Sequence, residues 1–218
     1  MTEKLKSIKK PLIISSIIIL LPIVAGLLLW GQLPEQVPTH WNINGQIDGY
    51  SSKTFAVLGT PLCMLALQWL CVLLSLADPK NKGQSGKVII MVLWIIPAVT
   101  VIRSGAMLTA GMGMALPISK LVMGFLGLVF VVIGNYLPKC KQNYTIGIKT
   151  PWSMNDAENW TATHRFGSRI FVVCGVVVIL SVLLPESPVL YCIDIGLIIL
   201  TAVATTAYSY VYYLRHKS

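Results

Sequence analysis

The sequence predicts an all-α membrane protein: a six-transmembrane-helix bundle with both termini in the cytoplasm and a short amphipathic surface helix before the fifth span. Three observations predict it. The chain is 55% hydrophobic and 11% charged, where a soluble domain carries roughly 25% charged residues, so it has too few polar groups to cover a water-facing surface. Six stretches reach the roughly 20 apolar residues that cross a hydrocarbon core. The lysines and arginines collect on one side of those stretches.

The spans are read at 12–33, 54–77, 88–108, 118–137, 166–184 and 189–214. The first follows Lys4, Lys6, Lys9 and Lys10 and runs on without a small-x-small cleavage site, which reads as an uncleaved transmembrane helix and not a signal peptide. No interval between spans is long enough for a soluble domain. The expected organisation is a two-span N-terminal domain, 1–85, with a structured extracellular loop at 33–53, and a four-span C-terminal domain, 86–218, with a cytoplasmic loop at 134–169.

Orientation follows from charge. With the N-terminus inside, the cytoplasmic segments hold the four N-terminal lysines, then Lys80, Lys82 and Lys87, then Lys139, Lys141, Lys149, Arg165 and Arg169, then Arg215 and Lys217. Only Lys53, Arg103 and Lys120 fall outside, a strong bias of the kind that sets membrane topology. The same placement accounts for the net charge of +9 as membrane flanks, so no direct nucleic-acid partner is expected and membrane lipids are. The five cysteines are scattered without a paired spacing, which indicates neither a disulfide framework nor a zinc site.

The outer loop is dense in turn formers: Pro34, Pro38, Asn44-Gly45 and Asp48-Gly49. It is therefore expected to be ordered. His40 and Asp48 are two candidate ligands, too few for a metal site, and loop hydrogen bonding is the plainer reading of both. Trp41 suits the lipid–water boundary. Pro97 should kink the third span. Arg103 and Asp194 are costly in lipid, and topology puts both in the outer leaflet, so they are a candidate intramembrane charge pair; snorkelling of Arg103 is the alternative. Gly124 and Gly127 allow a neighbouring helix to pack closely on the fourth span. Tyr208, Tyr210, Tyr212 and Tyr213 form an aromatic belt near the C-terminus.

The inner stretch 134–169 is the longest polar interval in the chain. Pro138 ends the fourth helix, 142–150 suits a short extended segment or hairpin, and Asn155 with Glu158 reads as a capping box for the surface helix. Trp160 and His164, four residues apart, share one helix face, with Trp152 and Trp160 expected among lipid headgroups. Phosphate-loop, serine-elbow, zinc-helix and dinucleotide fingerprints are all missing from the sequence. Asp156 and Glu158 point to different helix faces. No enzyme activity and no cofactor or metal are expected.

Two motifs carry a resemblance. The outer loop Pro38-Thr39-His40-Trp41-Asn42-x-x-Gly45-x-x-Asp48-Gly49-Tyr50 resembles a bacterial membrane domain of uncharacterised function. The inner runs Gly134-Asn135-Tyr136-Leu137-Pro138-Lys139, Asn143-Tyr144-x-Ile146-Gly147-Ile148-Lys149-Thr150-Pro151-Trp152 and Trp160-x-x-Thr163-His164-Arg165-x-Gly167 resemble the SdpI family, multi-pass bacterial immunity proteins against a secreted sporulation-delaying toxin. The resemblance implies a plasma-membrane protein that protects its cell from a secreted toxic peptide and can hold a cytoplasmic ArsR-type autorepressor at the membrane. On that reading the toxin-facing candidates are His40, Trp41, Asn42, Asp48 and Tyr50. The cytoplasmic partner-binding candidates are Asn143, Tyr144, Lys149, Pro151, Trp152, Trp160, His164 and Arg165. A small transporter with Arg103, Asp194 and Pro97 along its path is the runner-up, and a membrane enzyme using His164 comes third.

Overall fold

The computed structural model describes residues 2–80, 84, 86–114 and 116–216; Lys82 and Lys217 lie outside the described residues. Among the described residues, six helices are long and apolar enough to cross a membrane: Lys6–Leu28 within α1 (Thr2–Leu28), Phe55–Ala77 through α2 (Thr60–Ala77), α3 (Gly86–Gly111), Ile118–Lys139 through α4 (Ile118–Tyr136), α6 (Ala157–Ser181) and α7 (Pro188–His216). Helix α3 continues through Pro97. A five-residue helix, α5 (Pro151–Asn155), precedes α6.

Several local readings are refined or corrected. Residues 33–53 are more than an ordered loop: they form an antiparallel hairpin, β1 (Gln36–Trp41) and β2 (Ile47–Ser52). Asn44-Gly45 is its turn, with Gly45 at φ +74°, whereas Asp48-Gly49 lies inside β2. The interval 142–150 contains no strand. The surface helix is not separate from the fifth span, because Ala157–Ser181 is one continuous helix. Its N-cap is Asp156, whose carboxylate accepts from the Glu158 N–H at 2.8 Å. The capping box belongs instead to Thr150 and Ser153 at α5.

The chain forms two compact units, 1–73 with 89–121 and 74–88 with 122–218. They follow a different division from one at 85/86, since the third span joins the first two. In the first unit, the hairpin base is fixed to helix ends by a core of Leu33, Val37, Ala56, Val57, Met107 and Leu108. Gly111 lets this happen: a Cβ there would stand 2.9 Å from Leu33 and 3.3 Å from Val37. Lys53, 8% exposed, locks the same base. Its ammonium pairs with Glu35 at 2.9 Å, donates to the Leu33 carbonyl at 3.3 Å and sits 5.0 Å from the centre of the Trp30 ring. Deeper in that unit, Gln68 donates to Ser15 and Ser16.

In the second unit, glycine permits close backbone contact between α4 and α6. A Cβ on Gly175 would lie 2.5 Å from the Gly127 carbonyl oxygen, and one on Gly134 would lie 3.0 Å from that of Ser168. Phe130 stacks on Phe171 beside this seam, with centroids 4.9 Å apart. Small residues are how membrane helices gain dispersion contact when lipid removes the hydrophobic drive. Gly127 plays the expected part, while Gly124 has only ordinary contact with Val182. Gly175→Val should therefore cost about 1–3 kcal/mol through overpacking, measured as loss of thermal stability in detergent. Gly196→Ala, where a Cβ meets nothing within 4 Å, should change stability by less than about 1 kcal/mol.

Candidate functional site

Two constellations collect the polar chemistry, one in each unit. The first is the hairpin. Its turn is shaped by Asn42, whose side-chain oxygen accepts from the Asn44 and Gln46 backbone N–H groups at 2.9 and 3.1 Å. Bonding of an Asn or Asp side-chain oxygen to the backbone two residues on is what makes these residues turn formers. Asn42 N–H also donates to the Gln46 carbonyl, and Gly45 N–H to that of Asn42. On the strands, His40 Nδ1 and Asp48 Oδ1 are 2.5 Å apart across the pair, both well exposed. Tyr50 is exposed at 59%, whereas Trp41 packs partly against the hairpin-base core. Of the five outer candidates, the structure therefore brings His40, Asp48 and Tyr50 to the surface. It gives Asn42 and Trp41 structural duties.

The second constellation is the segment 137–164 with the end of α2. Asn143 is fully buried. Its Oδ1 accepts from the backbone N–H groups of Thr145 and Ile146 at 2.8 and 2.6 Å, and its amide donates to the Lys141 and Ile146 carbonyls at 2.7 and 2.9 Å. Beside it, the buried Asp78 carboxylate accepts from the N–H groups of Lys80 and Tyr144 and from the Thr145 hydroxyl. These two side chains replace the ladder bonds that a loop lacks, as a buried backbone requires.

The next layer is a ring stack. Trp160, 2% exposed, donates its indole N–H to the Cys140 carbonyl at 2.8 Å. His164, 1% exposed, lies against it with ring centroids 4.0 Å apart. Its Nδ1 donates to the Trp160 carbonyl and its Nε2 accepts from Ile148 N–H at 3.0 Å, an arrangement only the neutral imidazole satisfies. Gly147, at φ +122°, closes over the stack: a Cβ would stand 2.5 Å from His164 Nε2 and 3.0 Å from Trp160. Trp160 is thus an internal wedge and not a headgroup anchor. Both nitrogens of His164 are engaged, which removes the feature that made it a candidate acid or base.

A third layer ties this segment to α7. Thr150 meets the Ser209 hydroxyl at 2.6 Å, Ser209 donates to Asn159 Oδ1 at 2.8 Å, and Thr163 donates to the same oxygen at 3.0 Å. Asn159 returns a bond to the Ser209 carbonyl. Sequence reasoning missed Asp78, Asn159, Thr163 and Ser209. The available signal was their spacing: Asn159 and Thr163 are four apart, as are Thr201, Thr205 and Ser209, and all are buried. Asp194, also buried, accepts from Ser181 at 2.7 Å in this unit, and Arg103 is half-buried on α3 in the other.

The surface of the second constellation is left to Tyr144, Lys149, Pro151 and Arg165, all exposed, with Trp152 half-buried against Tyr210. Lys80 lies over the Tyr144 ring at 4.7 Å and Lys149 donates to the Tyr144 carbonyl. The face is cationic and aromatic. Beneath it, burial pushes the Cys140 thiol up to about 11. At pH 8 this leaves about a hundredfold less thiolate than an ordinary cysteine. Cys140 should therefore resist maleimide in the folded protein and label fully in denaturant, read by mass spectrometry.

Comparison with known proteins bears on both constellations. Residues 17–65 match a domain of unknown function (DUF1648), and residues 139–212 match the SdpI/YfhL protein family. The chain is 30% identical over 208 residues to the immunity protein SdpI of Bacillus subtilis (strain 168), covering 93% of this chain and 96% of that protein. No solved structure matches. Likeness over nearly the full length of both proteins, together with six candidate spans, makes this a multi-pass bacterial membrane protein that belongs to the SdpI/YfhL protein family.

Proposed function

We propose that the chain is a non-enzymatic immunity protein of the plasma membrane that protects its cell from a secreted toxic peptide of the sporulation-delaying kind. The observation that carries this reading is the 30% identity to an immunity protein over 93% of the chain. The distribution of lysine and arginine supports an orientation with both termini in the cytoplasm. On that orientation the hairpin faces outward, where a secreted peptide arrives, and His40, Asp48 and Tyr50 are its exposed contacts. On the same charge-based orientation the segment carrying Tyr144, Lys149, Pro151 and Arg165 lies in the cytoplasm.

A second role rests on that inner face. Exposed Arg165, and Lys149 beside Tyr144, suit an acidic patch on a cytoplasmic repressor of the ArsR type, because complementary charge steers encounter and fixes register. Asn143, Trp160 and His164 serve this face from beneath by fixing its backbone.

Expression in toxin-sensitive cells tests the first role: survival should rise, and unchanged survival would refute immunity. The second role predicts a separation. The double variant Lys149→Glu, Arg165→Glu should lower co-sedimentation of the repressor with membranes by about tenfold or more, through introduced like-charge repulsion. Gly147→Val should lose both functions, since the side chain cannot fit over the Trp160–His164 stack; fluorescence-detected size exclusion of the variant should show reduced folded protein.

A further inference from the structure

The hairpin has two outer edges, and they differ. Lys53 N–H donates to the Glu35 carbonyl at 2.9 Å, and the register pairs Gln36 with Ser52, Val37 with Ser51 and Pro38 with Tyr50. Hydrogen-bonded and non-hydrogen-bonded pairs alternate along antiparallel strands. Val37 and Ser51 therefore form the bonded pair next to Glu35 and Lys53. Gln36, Pro38, Tyr50 and Ser52 turn their backbone groups away from the partner strand. Pro38 fits there because it has no N–H to offer.

On β1 this outer edge is blunted twice, by Pro38 and by the register break between Pro38 and His40. Proline and bulges are devices that keep a strand edge from recruiting another chain. On β2 there is no proline, and its register break, between His40 and Trp41 where Asp48 is passed over, lies beside the turn and leaves Tyr50 and Ser52 in regular register. Its sequence is Ile-Asp-Gly-Tyr-Ser-Ser, and its one charge, Asp48, is paired with His40. Among the described residues, no further strand pairs with β2 and no other backbone group bonds Tyr50. Along this strand Ile47, Asp48, Tyr50 and Ser52 are all exposed. An unpaired N–H and C=O in extended register are complementary to one kind of ligand, another extended backbone.

We infer that the outer edge of β2 captures an extended segment of the toxic peptide as a third strand, bonded through the Tyr50 main chain, with the Tyr50 ring packing on it. This rests on the immunity reading and specifies how that role is performed. Recognition by backbone needs little sequence in the ligand, so tolerance should survive side-chain changes in the captured segment and fail when its amides are methylated.

The test compares Tyr50→Ala with Tyr50→Pro in toxin-challenged cells. Both lose the ring, but only proline removes the outward N–H, at an edge position where proline leaves the β1–β2 bonds in place. Tyr50→Pro should tolerate about tenfold less toxin than Tyr50→Ala, the ratio for one lost backbone anchor. Gln36→Pro, the equivalent change on the blunted edge, should protect like the unaltered chain. In parallel, purified sporulation-delaying toxin added to the unaltered protein in lipid nanodiscs should slow amide exchange at Tyr50 by about tenfold and leave Gln36 unchanged. Protection by the unaltered chain with equal tolerance in the alanine and proline variants and no slowing at Tyr50 overturns strand capture while leaving immunity intact. Failure of the unaltered chain to protect overturns both.

Discussion

Backbone that leaves a helix in or near a membrane must find its hydrogen bonds within the chain, because hydrocarbon offers none. This constraint explains the polar side chains that close the turns and helix starts. Asn42 closes the hairpin turn, Asn143 and Asp78 together close the segment after α4, and Asp156 opens α6. In each case a short side-chain oxygen takes the N–H groups that helix or sheet would otherwise bond. Lys53 does the converse at the hairpin base, giving protons to the Leu33 and Trp30 carbonyls where the chain turns back. Removing Asn143, Asp78 or Lys53 leaves buried backbone unpaired, at a cost of about 1–3 kcal/mol for each orphaned partner.

The same economy governs polar groups within the spans. Thr201 and Thr205 bond back to carbonyls one turn earlier on α7, Ser209 joins Asn159, and Asp194 holds Ser181. The stripe is knitted into the α6–α7 contact. That pattern suits a rigid scaffold beneath a recognition surface better than a solvated path for a transported solute, whose lining groups must be free to exchange partners. Rigidity also explains Gly147. A glycine at φ +122° lets the loop descend onto the Trp160–His164 stack, so the exposed positions 144 and 149 are set by an internal wedge.

The spans were legible in the sequence because hydropathy over some 20 residues is a strong, additive signal. Asn44-Gly45 was equally legible as a turn. The strands on either side were not: β1 contains Pro38 and β2 contains Gly49 and two serines, which local propensity assigns to loops. What makes them strands is tertiary, the burial of Val37 and Leu33 under Gly111. Trp160 and His164 were correctly placed on one helix face. Their depth was misread because an indole near a span end suits a lipid boundary and a protein core alike. Asp78 gave a signal that went unused, an acid followed by Pro79 at the end of an apolar span, where burial demands a partner. The division of the site into exposed and internal residues was beyond sequence, since it depends on which polar atoms the backbone consumes.

That division sets what each face can recognise. In the second unit the side chains of Asn143, Asp78, Thr150 and His164 accept from backbone N–H groups of the segment 137–164, while Tyr144, Lys149 and Arg165 are exposed. A partner there must be read by charge and aromatic contact, which favours a folded protein with a complementary patch. In the first unit the hairpin satisfies one edge of β2 and leaves the other open, so main chain itself is offered. A flexible peptide is the ligand such an edge suits, because it adopts the extended form only as it binds. The ordering cost is then met by repeated backbone bonds and not by a preformed shape. The segments between the spans can thus present two chemically different surfaces.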